Sequence, residues 1–162
     1  MDAVSEMRLG GVAPALGRLI RQLASNLSQE GIYLRVVQAL RTSSEQDGLY
    51  AQGRTKSGNI VTNVRGGYSY HNFGLAVDVV PSQFGPDRAY APDWNLTHST
   101  WGMMENAGKA LGMVSGSDFC NLPDAPHFQL NGPWPIAEPP DEVRNLAASG
   151  GLVAVWQAAN AL

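Results

Sequence analysis

A single cysteine, Cys120, stands in a chain of 162 residues. No intramolecular disulfide can form, and no thiolate zinc cluster can be built. No stretch approaches the roughly 20 consecutive apolar residues that a membrane-spanning helix needs. Met1–Gly11 carries Asp2 and Glu6 and has no apolar run resembling a signal peptide. These absences predict a protein made in the cytoplasm and not stably inserted in a membrane. If it works beyond that membrane, another factor must let it through. Charge is scarce too: Asp, Glu, Lys and Arg make up 15% of the chain and the net charge is -3. That leaves no electrostatic footprint for nucleic acid and no general attraction to an anionic membrane. Internal repeats and low-complexity tracts are also missing. What remains is a globular composition, 44% hydrophobic, of a length that suits one compact domain or a domain with a short appendage.

Apolar residues set the expected elements. Leu16, Leu19, Ile20, Leu23 and Leu27 recur at helical spacing, which with Pro14 at the first turn and Gly31 beyond the end predicts a helix over 13–30. Leu34–Gln38 reads as a strand. Thr42-Ser43-Ser44-Glu45 has capping-box form and opens a helix that Gly53 would end. Residues 55–67, rich in Gly, Ser, Thr and Asn, read as a loop. Leu75–Val80 alternates between two faces as a strand does, so Asp78 points away from the side taken by Val77 and Val79. Pro81–Asn95, with its prolines and turn residues, reads as an excursion. Thr100–Leu111 reads as a helix ended by Gly112, and Phe128–Leu130 as a short strand carrying His127 into the sheet. Prolines 133, 135, 139 and 140 mark a linker, and Asp141–Leu162 reads as two short helices broken at Gly150-Gly151. The expected division is 1–132 as the main domain and 133–162 as a linker and helical extension packed on it.

Three residues carry the chemistry. His71 and Asp78 lie in Ser69-Tyr70-His71-Asn72-Phe73-Gly74-Leu75-Ala76-Val77-Asp78, and His127 follows Asp124-Ala125-Pro126. Two imidazoles and a carboxylate make a three-ligand catalytic zinc site with one position left for water. Asp124 adds a second carboxylate able to take a proton from that water. Taken alone, each histidine is more often a surface or hydrogen-bonded core residue. Asp78 in an apolar strand is harder to dismiss, because a buried carboxylate needs a partner. A metal would provide one, as would an arginine.

The pattern Ser69-x-His71-x-x-Gly74-x-Ala76-x-Asp78, followed by Asp124-x-x-His127, resembles the M15 family of zinc peptidases. That family contains D-alanyl-D-alanine carboxypeptidases and the L-alanyl-D-glutamate endopeptidases found among phage endolysins and bacterial wall hydrolases. The likeness to the endolysin-type branch runs through Arg35–Thr42, Glu45–Thr55 and Gly66–Gly74, and spans roughly 13–132. The resemblance implies an α+β fold of the Hedgehog/DD-peptidase type, with a small, mostly antiparallel sheet carrying the site and helices around it. It implies Zn2+ on His71, Asp78 and His127, Asp124 as general base, Arg41 facing the substrate carbonyl as oxyanion stabiliser, and Ser69 lining the site. The implied substrate is the peptidoglycan stem peptide, cut between L-alanine and D-glutamate by a monomer. The enzyme would reach the wall or periplasm by holin-type release in a phage or bacterial host. Rival readings are a D-Ala-D-Ala carboxypeptidase and a non-catalytic wall-binding module on the same scaffold. One departure stands out: Val114–Cys120 lacks the tryptophan common in this branch, so the aromatic wall of the cleft differs. Cys120 is expected to be a small buried apolar residue, Trp94 and Trp101 core, and His98 a surface residue at a helix entry.

Overall fold

Five α-helices surround one small sheet in the computed structural model, which describes residues 1–84, 90–95 and 97–162. In chain order the elements are α1 (Ala3–Leu9), α2 (Pro14–Ser28), β1 (Tyr33–Gln38), α3 (Ser43–Ala51), β2 (Ala76–Phe84), β3 (Tyr90–Pro92), α4 (Ser99–Ala110), β4 (Val114–Ser115), β5 (His127–Gln129) and α5 (Asp141–Ala158). The sheet order is β1-β2-β5-β4, with β3 also pairing β2. All these pairings are antiparallel, as the resemblance implies for this α+β fold.

The apolar stripe of α2 becomes its buried face: Leu16, Ile20 and Leu23 are fully covered. They lie over a core that includes Leu34 and Val36 of β1 and Val77 and Val79 of β2. Helix α3 begins where Thr42 closes a capping box with Glu45, satisfying donors that no earlier turn can reach. Helix α1 was not legible in the sequence, and its work is at the sheet edge. Ser5 Oγ accepts from Val36 N at 3.0 Å and Arg8 Nη1 donates to Val36 O at 2.6 Å. The outer edge of β1 is thereby closed to another strand.

The expected excursion after Val80 is in part a hairpin. β2 continues through Pro81 to Phe84, and β3 pairs back onto it with Ser82 opposite Pro92. Proline is tolerated because of the edge it faces. A strand residue directs its N and carbonyl toward the same neighbour. The Pro81 carbonyl accepts from Asp93 N at 2.7 Å, so the missing donor lies on that side and the ladder to β1 stays whole. Residues 85–89 of that stretch lie outside the described residues. Helix α5 contains the expected break: Gly151 has φ 68°, non-helical, between its two halves. Val143 and Val155 of α5 are buried, and Trp156 Nε1 donates to Phe73 O at 2.8 Å.

Two expectations fail. Cys120 is exposed, because it lies in the irregular turn between the 3-10 turn Gly116–Asp118 and Asp124 and contributes to no packed element. Trp94 is 57% exposed, whereas Trp101 is buried in the core. His98 is the exposed N-cap residue of α4, with Nδ1 2.7 Å from Asp93 Oδ2. Among the described residues, no helix is long and apolar enough to cross a membrane.

Candidate metal centre

His71 sits in a 3-10 turn, Tyr70–Phe73, opened by a second capping box in which Ser69 Oγ accepts from His71 N and the Asn72 side chain reaches back. Gly74 ends the turn with φ 65°, a left-handed conformation that glycine adopts without cost. A side chain there would also press on Gly11 O at 3.0 Å. Three hydrogen bonds knit this turn to the chain leaving β1. They run from Arg41 N to His71 O, from Asn72 Nδ2 to Arg41 O, and between His71 Nδ1 and Ala39 O at 2.8 Å. Arg41 and His71 are therefore placed together although 30 positions separate them in sequence.

Asp78 and His127 meet by sheet register, since they are opposite partners across β2 and β5. Val79 N bonds to Pro126 O and Leu75 O accepts from Leu130 N, so the odd positions of β2 carry the bonds to β5. Asp78 and His127 thus form a non-hydrogen-bonded pair, the closer kind, with Cα atoms about 4.5 Å apart. Asp124 arrives on the turn before β5. Its N donates to Gly116 O at 2.9 Å and its carbonyl accepts from His127 N at 3.1 Å. Gly116 is required there: a Cβ would lie 2.4 Å from Asp124 O and 2.7 Å from His127 Cβ.

The three donor atoms form a nearly equilateral triangle. His71 Nε2 to His127 Nδ1 is 3.2 Å, His71 Nε2 to Asp78 Oδ1 is 3.2 Å, and His127 Nδ1 to Asp78 Oδ1 is 3.4 Å. Tetrahedral bonds of about 2.0–2.1 Å place ligand atoms about 3.3–3.4 Å apart. The ring hydrogens support the same conclusion. Ala39 O can only accept, so His71 carries its hydrogen on Nδ1 and turns the Nε2 lone pair inward. His127 Nε2 lies 2.9 Å from Gln129 Oε1, while the Gln129 amide nitrogen donates to Ile136 O. His127 therefore turns the Nδ1 lone pair inward as well. Asp78 Oδ1, facing both ring nitrogens, is buried without a hydrogen-bond partner. Two ring nitrogens and an anionic oxygen facing one point form a cradle that a cation fits. Electrostatics agree. Burial pushes the Asp78 carboxyl up, but His71 and His127 outweigh it and hold it well below the usual carboxylate range. Burial opposes charge on His127, yet Asp78 raises its proton affinity on balance. The cluster attracts positive charge, and the residues present fit a metal ion.

Arg41 closes one side of the cluster. It is 8% exposed, with Nη2 3.3 Å from Asp78 Oδ2 and Nη1 donating to Gln46 Oε1 at 2.6 Å. Gln46, 1% exposed, passes its own amide hydrogens to Val64 O at 2.8 Å and Thr62 Oγ1 at 3.4 Å. Asp78 therefore has both of the partners that the sequence left open, an arginine on one oxygen and a cation-seeking cluster on the other. Asp124 is half-buried, and burial first, then the Asp78 charge, raises its carboxyl above the usual range. Ser69 is half-buried at its cap position. Sequence reasoning missed Gln46 and Gln129. The second had a visible signal, because two positions along a strand from His127 is the same face.

Comparison with known proteins agrees with this geometry. The family model described as VanY, D-alanyl-D-alanine carboxypeptidase, matches residues 12–114, which include His71 and Asp78 and stop short of Asp124. A curated relative, the peptidoglycan L-alanyl-D-glutamate endopeptidase CwlK of Bacillus subtilis (strain 168), is 39% identical over 112 residues, 67% of this chain and 66% of that protein. The chain thus spans just under two thirds of that relative's length. The crystal structure of the Serratia marcescens L-Ala D-Glu endopeptidase ChiX superposes with TM-score 0.57 at 26% identity, covering 80% of this chain and 87% of the other. VanYB in complex with D-alanine-D-alanine shares the fold, with TM-score 0.51 at 15% identity over 73% of this chain and 70% of the other. With the matched residues taking in two of the three donors, the chain belongs to the VanY D-alanyl-D-alanine carboxypeptidase family of M15 peptidases.

Proposed function

We propose that this protein is a zinc-dependent peptidoglycan hydrolase that cleaves the stem peptide between L-alanine and D-glutamate. The observation that carries the proposal is the triangle of two imidazole lone pairs and the unpartnered Asp78 oxygen, with Asp124 beside it. His71, Asp78 and His127 would hold the ion. Bound there, zinc supplies a Lewis acid for the scissile carbonyl and acidifies water. The rest is the work of this chain. Asp124 takes the proton of the attacking water and returns it to the departing amine. Arg41 has a second hydrogen on each Nη beyond those held by Asp78 and Gln46, and these offer charge to the oxyanion of the substrate carbonyl. Ser69 accepts at its cap with Oγ, so its O–H remains able to donate to the peptide.

The L-Ala-D-Glu bond is favoured by CwlK and ChiX, whose names state that activity. Removal of a terminal D-alanine is the second reading, favoured by the family description. Mass spectrometry of muropeptides digested with zinc-loaded and chelated protein separates them. A released peptide beginning with glutamate supports the endopeptidase, and loss of one alanine supports the carboxypeptidase. Intact muropeptides with zinc-loaded protein would leave only a wall-binding module. We further propose that the protein acts as a monomer on the wall, in lysis or wall remodelling.

A further inference from the structure

Gln129 is 2% exposed and lies between an imidazole nitrogen and a backbone carbonyl. Its Oε1 is 2.9 Å from His127 Nε2, and its Nε2 donates to Ile136 O at 3.0 Å. A backbone carbonyl can only accept, so the end of the amide facing Ile136 must be NH2 and the end facing His127 must be oxygen. The hydrogen of the His127 ring then belongs on Nε2, and Nδ1 is the nitrogen left to bind an ion. The neighbouring carbonyl, Pro135 O, accepts from the Tyr70 hydroxyl, next to His71. Consecutive carbonyls of one turn therefore brace the elements of both histidines. The turn is anchored in its own right. Trp134 is 6% exposed, its indole Nε1 donates to Glu142 Oε2 of α5 at 3.3 Å, and its carbonyl accepts from Asn131 Nδ2.

We infer that residues 134–136 are part of the metal centre: through Gln129, the Ile136 carbonyl selects which nitrogen of His127 faces the ion. Gln129 is a positioning residue in this relay. The inference rests on the metal reading of the site, but its first test does not need the metal.

The side-chain nitrogens of His127 are observed by 15N–1H correlation in chelated protein, at an alkaline pH above which the ring 15N shifts no longer change. The wild type should show a single tautomer with hydrogen on Nε2. Gln129→Met, which keeps length and removes both bonds, should show a mixture. Gln129→Glu keeps an acceptor for the ring while it replaces the Ile136 bond by a carboxylate oxygen facing that carbonyl, so it should keep the wild-type tautomer. Zinc affinity, read by competition with a chromophoric chelator, should fall about 10- to 100-fold in Gln129→Met and only a few-fold in Gln129→Glu. A residue that merely fills space would treat the two variants alike. An Nδ1–H tautomer in the wild type, or a folded Gln129→Met protein with unchanged tautomer and affinity, would overturn the inference. Failure of wild-type protein to bind zinc would instead remove the metal reading, while the tautomer experiment still judges the relay.

Discussion

Gln46→Leu tests whether the buried chain from Arg41 to the loop behaves as a unit. The substitution removes the acceptor of Arg41 Nη1 and the donor to Val64 O, at a position 1% exposed. A hydrogen bond to a charged group is worth about 1.5–3 kcal/mol and a neutral one about 0.5–1.5 kcal/mol. Arg41 Nε already lacks a partner, so the guanidinium has no buried alternative. The leucine recovers part of the loss through apolar burial, leaving an expected destabilisation of about 2–4 kcal/mol. The same change made in an Arg41→Met protein should cost only the neutral bond, about 1 kcal/mol. Urea unfolding of the four proteins, all chelated so that metal binding does not add to stability, gives the coupling energy. It should be about 1–3 kcal/mol, outside the roughly 0.5 kcal/mol expected of independent sites. Additivity within that margin would show that Gln46 and Arg41 act separately, and the account of how Arg41 is held would fail.

Alanine at His71, Asp78 or His127 should abolish zinc binding measured by elemental analysis, since three protein ligands leave no redundancy; full occupancy in His127→Ala would remove that assignment. Asp124→Asn should retain zinc while turnover of muropeptides falls by about 10²–10⁴-fold. Its stability carries the opposite sign. Asp124 binds its proton more tightly folded than unfolded, so its ionised form costs stability once pH rises through the raised folded value. Chelated Asp124→Asn should therefore melt higher than wild type at pH 7, with the difference closing as pH falls toward the unfolded carboxyl value of about 3.9. Gly116→Ala should lower the melting temperature and reduce zinc affinity together, because the new methyl meets both Asp124 O and His127 Cβ.

The sequence exposed features that repeat or cap. The stripe of α2, the Thr42 capping box, the alternation around Asp78 and the glycine break in α5 are all local, and each reappears in the fold. Features that depend on distant partners stayed hidden. Helix α1 is seven residues long, too short to show a period, and its stability comes from Ser5 and Arg8 meeting Val36. The prolines and turn residues of Pro81–Asn95 suggested an excursion, but whether a proline interrupts a strand depends on which edge its missing donor would face. Trp94 and Cys120 show the converse limit, since apolar character alone does not say whether a neighbour arrives to cover it.

The candidate site divides in the same way. Its donor residues could be listed from motif and chemistry, because few residue types can bind zinc and the spacing of this pattern is specific. The orientation of those donors could not. Which nitrogen each histidine offers is decided by Ala39 O and by Gln129, and Gln129 is in turn oriented by Ile136 O. Two of these three controlling groups are backbone carbonyls, which every residue possesses, so no choice of side chain at 39 or 136 advertises them. Asp78 is similar. Its need for a partner was legible from burial, yet the sheet register and the Gln46-braced Arg41 determine that one oxygen meets an arginine while the other is left for a cation. The candidate donors are thus written in residue types, whereas their geometry is written in contacts between segments far apart in the chain.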